Sequence, residues 1–241
     1  MRAIMLNANK IIHLFIKGAS FMAKKLYEKY KHGWVFLYAF IYLPWFFYLE
    51  KHVTTDFTII HVALDDKIPF IEFFIVPYML WFLFIAVTIG YFFFTSKTEF
   101  YQLITFLFSG MTIFLIISTL FPNGLNLRPD TFVRDNIFVD MVKALYLTDT
   151  PTNVLPSIHV YNTIGAYIAI YKSETLQKHK SVQTGSFILA VSIILSTMFL
   201  KQHSVVDVVI AFGMSGIFYV LSYGVERSRS HNLIENLAKI N

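Results

Sequence analysis

Four polar residues stand where an apolar chain should not carry them, and they are the residues with chemistry to offer. Ser157 and His159 open the stretch VLPSIHVYNTIGAYIAI, and His203 and Asp207 open KQHSVVDVVIAF. In a helix His203 and Asp207 are four apart and share a face. Asp207 falls one turn deeper in apolar surroundings, where a carboxylate has to be paired or neutralised. His203 is the partner at hand. A carboxylate on one ring nitrogen fixes the tautomer and leaves the other nitrogen free as a nucleophile. The bland alternative is a buried His–Asp pair that only joins helices. Taken alone, His159 reads as a satisfied interfacial histidine before it reads as a catalyst.

Anion-binding groups lie close to these residues in sequence. Pro156-Ser157 reads as a helix start, where free backbone N–H groups and the helix dipole favour an anion. The Ser157 hydroxyl adds a donor. Arg128, in the segment that feeds this helix, offers a two-pronged guanidinium suited to phosphate. Lys201, two residues before His203, adds a charge or else snorkels to the membrane surface.

These residues need elements that hold them at one level. Hydrophobic residues make up 56% of the 241, with 26 Phe and only 15% charged residues. Apolar runs approach or exceed the roughly 20 residues that span a hydrocarbon core. The pattern predicts an all-α, integral membrane bundle of six segments, at about 34–49, 71–94, 102–121, 157–171, 184–200 and 204–223. Pro122-Asn123-Gly124 ends the third. Residues 1–33 form a cytoplasmic segment with a basic amphipathic helix over about 8–31, which can lie on an anionic leaflet or remain a solvated tail. Residues 34–223 form the membrane domain and 224–241 a cytoplasmic tail.

Charge sets the orientation. The first 33 residues carry seven Lys or Arg, and the 172–183 loop and the tail are basic, whereas 50–70 and 122–156 are mixed or acidic. The positive-inside rule puts both termini in the cytoplasm and the 122–156 loop and the 201–203 turn on the outer face. The net charge of +5 therefore reads as topology, and no nucleic-acid partner is expected. There is no Cys, which excludes disulfides and thiolate metal sites. His52, His61, Asp65 and Asp66 are irregularly spaced for a zinc site and read as a solvated loop.

Taken together, the residues resemble the type-2 phosphatidic acid phosphatase superfamily. Its pattern is Lys-x6-Arg-Pro, then Pro-Ser-Gly-His, then Ser-Arg-x5-His-x3-Asp. Arg128-Pro129 matches the end of the first, Pro156-Ser157-Ile158-His159 the second with one change, and Ser196-Thr197 with His203 and Asp207 the third at the same spacing. Phe121, Ile158 and Thr197 stand where the pattern has Lys, Gly and Arg. The wording around Ser157 and His203 is closer to the branch with inositol phosphorylceramide and sphingomyelin synthases. The resemblance implies a metal-independent phosphatase, without a cofactor, that hydrolyses a lipid phosphomonoester or diphosphate at the outer face of the plasma membrane. His203 would be the nucleophile, Asp207 its orienting partner and His159 the acid and base. Arg128, Ser157 and Lys201 would hold the phosphate. Two alternatives stay open. One is transfer of a phospho-headgroup to a lipid alcohol. The other is a non-catalytic lipid-binding protein on the same fold.

Overall fold

The computed structural model of the chain describes Lys17 and residues 20–238, with side chains as far as Gly224. The chain divides into two compact units at Ala39 and Phe40. In the first, residues 20–30 are helical and Lys31–Tyr38 form a 3-10 helix. Of the expected amphipathic helix, the part before residue 20, Lys17 apart, lies outside the described residues.

The second unit is built from seven α-helices: α1 (Ala39–His52), α2 (Ile75–Thr95), α3 (Lys97–Leu120), α4 (Ile137–Thr148), α5 (Ile158–Lys172), α6 (Lys180–Phe199) and α7 (Val205–Ala238). Among the described residues the only strands are β1 (Thr58–Ile59) and β2 (Asn123–Gly124), paired in parallel. The expected all-α architecture is therefore observed. Five helical stretches are long and apolar enough to cross a membrane: Ser20–His52, Glu72–Thr95, Lys97–Leu120, Lys180–Phe199 and Val205–Gly224. The chain is a multi-pass membrane protein by that measure.

The sixth expected segment is the exception. α5 has 15 residues, or about 22 Å, against a hydrocarbon core of roughly 30 Å. It packs on α2, α3, α6 and α7, and eight of its residues are buried. A helix wrapped by other helices has no need to span lipid unaided. Two glycines let α5 approach α3. A Cβ on Gly110 would fall 2.0 Å from the Tyr161 ring, and one on Gly165 would fall 2.5 Å from the Phe106 ring. The two rings stack at 4.6 Å and the Tyr161 hydroxyl donates to the Phe106 carbonyl at 2.8 Å. Small residues at such crossings replace hydrophobic drive with close packing. This lock fixes the height of His159, half a turn before Tyr161.

Two sequence expectations about the connections are corrected. The 122–156 segment is not simply a loop, because α4 lies inside it. Asn136 caps α4 by accepting from Phe138 N and Val139 N at 3.0 and 3.1 Å, as a helix start requires. α4 then buries Val142 against Ile75, Tyr78 and Leu200. The 50–70 segment is not simply solvated. Asp65 is 2% exposed and its carboxylate accepts from Ser204 Oγ and Val205 N at 2.7 and 2.8 Å. It thereby caps α7 from another part of the chain.

Connections near the N-terminus of α5 are stitched together by backbone. Ile60 N donates to Gly124 O, Leu125 N to Pro151 O and Asn153 N to Asn123 O, at 2.7 to 2.8 Å. Asn123 Oδ1 accepts from both Val154 N and Leu155 N at 2.9 Å. The Leu155–Pro156 peptide is cis. The hydrogen bonds to Asn123 and Pro151 fix the entry into α5, immediately before Ser157.

Candidate active site

His159 and His203 meet across a cavity of about 660 Å³ that both of them line. Their ring centroids are 5.8 Å apart. Each owes its place to a helix terminus. Ser157 caps α5, its hydroxyl accepting from Val160 N at 3.3 Å, so His159 occupies the first turn. His203 is placed by the end of α6. There Thr197 O accepts from both Gln202 N and His203 N at 2.9 and 3.0 Å, around Lys201 in the left-handed region at φ 55°.

The pairing of His203 with Asp207 follows the helical spacing. His203 Nδ1 lies 3.3 Å from Asp207 Oδ2, and Ser204 N donates to the same oxygen at 2.9 Å. Asp207 is fully buried and its Oδ1 has no hydrogen-bond partner. With Nδ1 engaged, Nε2 is the nitrogen left for chemistry. His159 is held by aromatic contacts. Its ring stacks on Tyr78 at 4.7 Å and tilts against Trp81 at 4.4 Å.

The cavity has two characters. Phe46, Phe47, Phe82, Ile85, Ile89 and Phe114 give it an apolar arm between α1, α2 and α3. Glu50, Asp149, Asn153, Asn162, Gln202 and the two histidines give it a polar end. Glu50 accepts from Thr150 Oγ1 at 2.5 Å and from Asn153 Nδ2 at 2.9 Å. The side-chain oxygens of Asn153 and Asn162 are buried without partners. Such a cavity fits an amphiphile with a polar head at the histidines and a chain in the arm.

The three expected phosphate ligands fare differently from the histidines. None of them lines this cavity. Arg128 is joined to its lining by one bond: Nη2 donates to Gln202 Oε1 at 2.6 Å, and Gln202 does line it. The rest of the guanidinium donates to Tyr146 O at 3.2 Å and packs on the Tyr146 ring at 4.4 Å, leaving Nε buried without a partner. Burial holds the Arg128 guanidinium below its ordinary pKa against the attraction of Asp149. Ser157 is fully buried, with its oxygen committed to the α5 cap. Lys201 Nζ donates to the carbonyls of Asp65 and Ile68 at 2.7 and 2.5 Å. An ammonium held by two carbonyls braces the 65–68 turn and does not reach the histidines.

Several residues at the site had no part in the sequence argument. Asp149 lines the polar end, accepting from Gln202 Nε2 at 3.2 Å and from the Tyr78 hydroxyl at 3.3 Å. Burial pushes its carboxyl up, opposed by Arg128 and His203. Glu50 and Gln202 are further additions. Tyr78 and Trp81 pack on His159. A partial signal existed for α4, in Asn136 followed by apolar residues at helical spacing. None existed for Glu50, about 100 residues from the threonine that holds it.

No protein-family model matches the chain. No curated protein or solved structure matches it either.

Proposed function

We propose that the chain is an integral membrane enzyme that cleaves a lipid phosphate ester through a phosphohistidine on His203. The observation that carries this reading is the facing pair of histidines in one amphiphile-sized cavity, one of them backed by a buried carboxylate. His203 Nε2 attacks phosphorus, and Asp207 supports the positive charge that develops on the ring. His159 protonates the leaving alkoxide and then takes a proton from the acceptor. Arg128 reaches the phosphate by leaving Gln202 or acts through the Gln202 amide. In the first reading the acceptor is water, making the chain a lipid-phosphate phosphatase of the type-2 phosphatidic acid phosphatase kind. In the second it is a lipid alcohol. The cation-poor cavity favours the second, since little is present to stabilise a highly charged phosphate.

The reading includes six membrane segments, with α5 as the short central one, both termini in the cytoplasm and the histidines toward the outer face of the plasma membrane. The test uses purified protein in detergent with a chelator and a panel of phospholipids, lipid phosphates and polyprenyl diphosphates. Release of free phosphate supports the phosphatase, and a new headgroup-bearing lipid supports the transferase. His203→Ala is expected to abolish either. A folded His203→Ala protein as active as its parent would refute the mechanism.

A further inference from the structure

The polar end of the cavity is short of positive charge. Glu50 and Asp149 line it, and no lysine or arginine does. Arg128 sits behind Gln202 with its charge facing Asp149. Lys201 is spent on two carbonyls, and the N-terminus of α7 already carries the Asp65 carboxylate. Neither Phe121 nor Thr197, which stand where the resembled pattern has Lys and Arg, brings a charge. Thr197 is fully buried and its hydroxyl donates to Ile194 O in its own helix.

Of the two carboxylates, Asp149 is the one beside the histidines. Its Oδ2 is held by Gln202, the neighbour of His203, and by the hydroxyl of Tyr78, whose ring stacks on His159. Arg128, His203 and Tyr78 face it, and Glu50 lies near enough to feel its charge. A phosphate placed between the histidines therefore meets a fixed acidic group with only one guanidinium behind it.

We propose that Asp149 is a specificity-determining residue that makes the site favour a singly charged phosphodiester over a doubly charged phosphomonoester. The inference rests on the phosphohistidine reading and narrows its substrate class. A monoester carries about 1.5 to 2 negative charges near neutral pH, and the second charge is repelled by Asp149 in a partly dry cavity. With a diester, the P–O bond to the departing lipid alcohol breaks as the P–Nε2 bond to His203 forms, and His159 supplies that alcohol's proton. The headgroup stays on phosphorus. An acceptor oxygen then displaces Nε2 and gives its proton to His159.

The test reads binding apart from turnover. In a His203→Ala background, short-chain phosphatidic acid and short-chain phosphatidylglycerol are titrated at about pH 8, above the monoester's second ionisation near 6. Tryptophan fluorescence reports binding. The background should bind phosphatidylglycerol more tightly. Adding Asp149→Asn should tighten phosphatidic acid about tenfold, as expected for one charge removed beside another, and shift phosphatidylglycerol far less. Glu50→Gln should change the ratio less than Asp149→Asn. Phosphatidic acid bound at least as tightly as phosphatidylglycerol in the background would overturn the proposal, and so would equal shifts for both lipids or binding of neither. If Asp149→Asn does not fold, the same question is answered by lowering the pH below about 6. Phosphatidic acid should then approach phosphatidylglycerol in affinity, and an unchanged ratio overturns the proposal. Phosphohistidine trapping on the unsubstituted protein separates the failures. No phosphohistidine with any lipid sinks the underlying mechanism; phosphohistidine with an unmoved binding ratio sinks only the role of Asp149.

Discussion

Replacing Asp207 by Asn keeps shape and removes charge, so it isolates what the carboxylate does for His203. Oδ2 has two donors to satisfy, Ser204 N at 2.9 Å and His203 Nδ1 at 3.3 Å, and Oδ1 has none. An Asn whose carbonyl oxygen takes the Oδ2 position keeps both bonds. Its NH2 then lies where Oδ1 had no partner, at a cost of about 1 to 3 kcal/mol for a buried unsatisfied donor. The protein should fold. What disappears is the charge-assisted part of the contact to a phosphorylated imidazole, about 1.5 to 3 kcal/mol. At 1.36 kcal/mol per decade that is roughly a 10- to 150-fold loss of kcat. If the amide turns its NH2 toward Nδ1, the proton moves to Nε2 and the nucleophile is lost. The deficit then rises toward about ten-thousandfold, the value known for such a substitution in the serine-protease triad. The assay is initial rate against lipid concentration in mixed micelles, with circular dichroism to establish folding. KM should stay within about twofold, because Asp207 touches the ring and not the substrate. A folded Asp207→Asn protein with kcat within twofold of its parent would refute the reasoning.

Three further outcomes follow from the geometry. Gly110→Ala drives a methyl into the Tyr161 ring, so thermal unfolding should drop by the equivalent of about 1 to 3 kcal/mol of overpacking, with activity falling as His159 shifts. Lys201→Gln should lower thermal stability by loosening the 65–68 turn while leaving KM for lipid within about twofold, and a large KM rise would restore Lys201 as a phosphate ligand. The third concerns pH. Burial raises the Asp149 carboxyl above its ordinary value of 3.8, so between that value and the folded one the native state holds a proton that the unfolded chain has lost. Stability therefore falls as pH rises through that window. Asp149→Asn should flatten this decline in a pH series of melting curves, and an unchanged slope would count against it.

The histidine pair was legible because its signals are local. The four-residue spacing of His203 and Asp207 survives any tertiary arrangement, and Pro156-Ser157 marks a helix start wherever it lies. Five of the six expected spans were legible for the same reason, since composition over 20 residues outweighs context. The partners of the cations were not legible, because a long side chain can choose among several. Lys201 is two residues from His203 in sequence, but its ammonium follows the carbonyls of Asp65 and Ile68, which no local pattern reveals. Asp65 itself looked like one charge in a polar loop and is instead the cap of α7. Asp149 meets Glu50, on α1, where backbone bonds among residues 123–125, 151 and 153 fold the approach to α5 back on itself and Thr150 and Asn153 donate to Glu50. α4 was missed because Pro, Asn and Asp on both sides of it argued for loop more loudly than Asn136 argued for a cap.

The account stands on a covalent phosphorus–nitrogen bond at His203. The direct measurement is to mix the protein with phospholipid donors labelled in the phosphate, quench within milliseconds and map the label by mass spectrometry of peptides kept at alkaline pH. The prediction is an acid-labile label on the peptide containing His203, absent from His203→Ala. Turnover of lipid with no label on His203 at any quench time, or with the label on another residue, would contradict it.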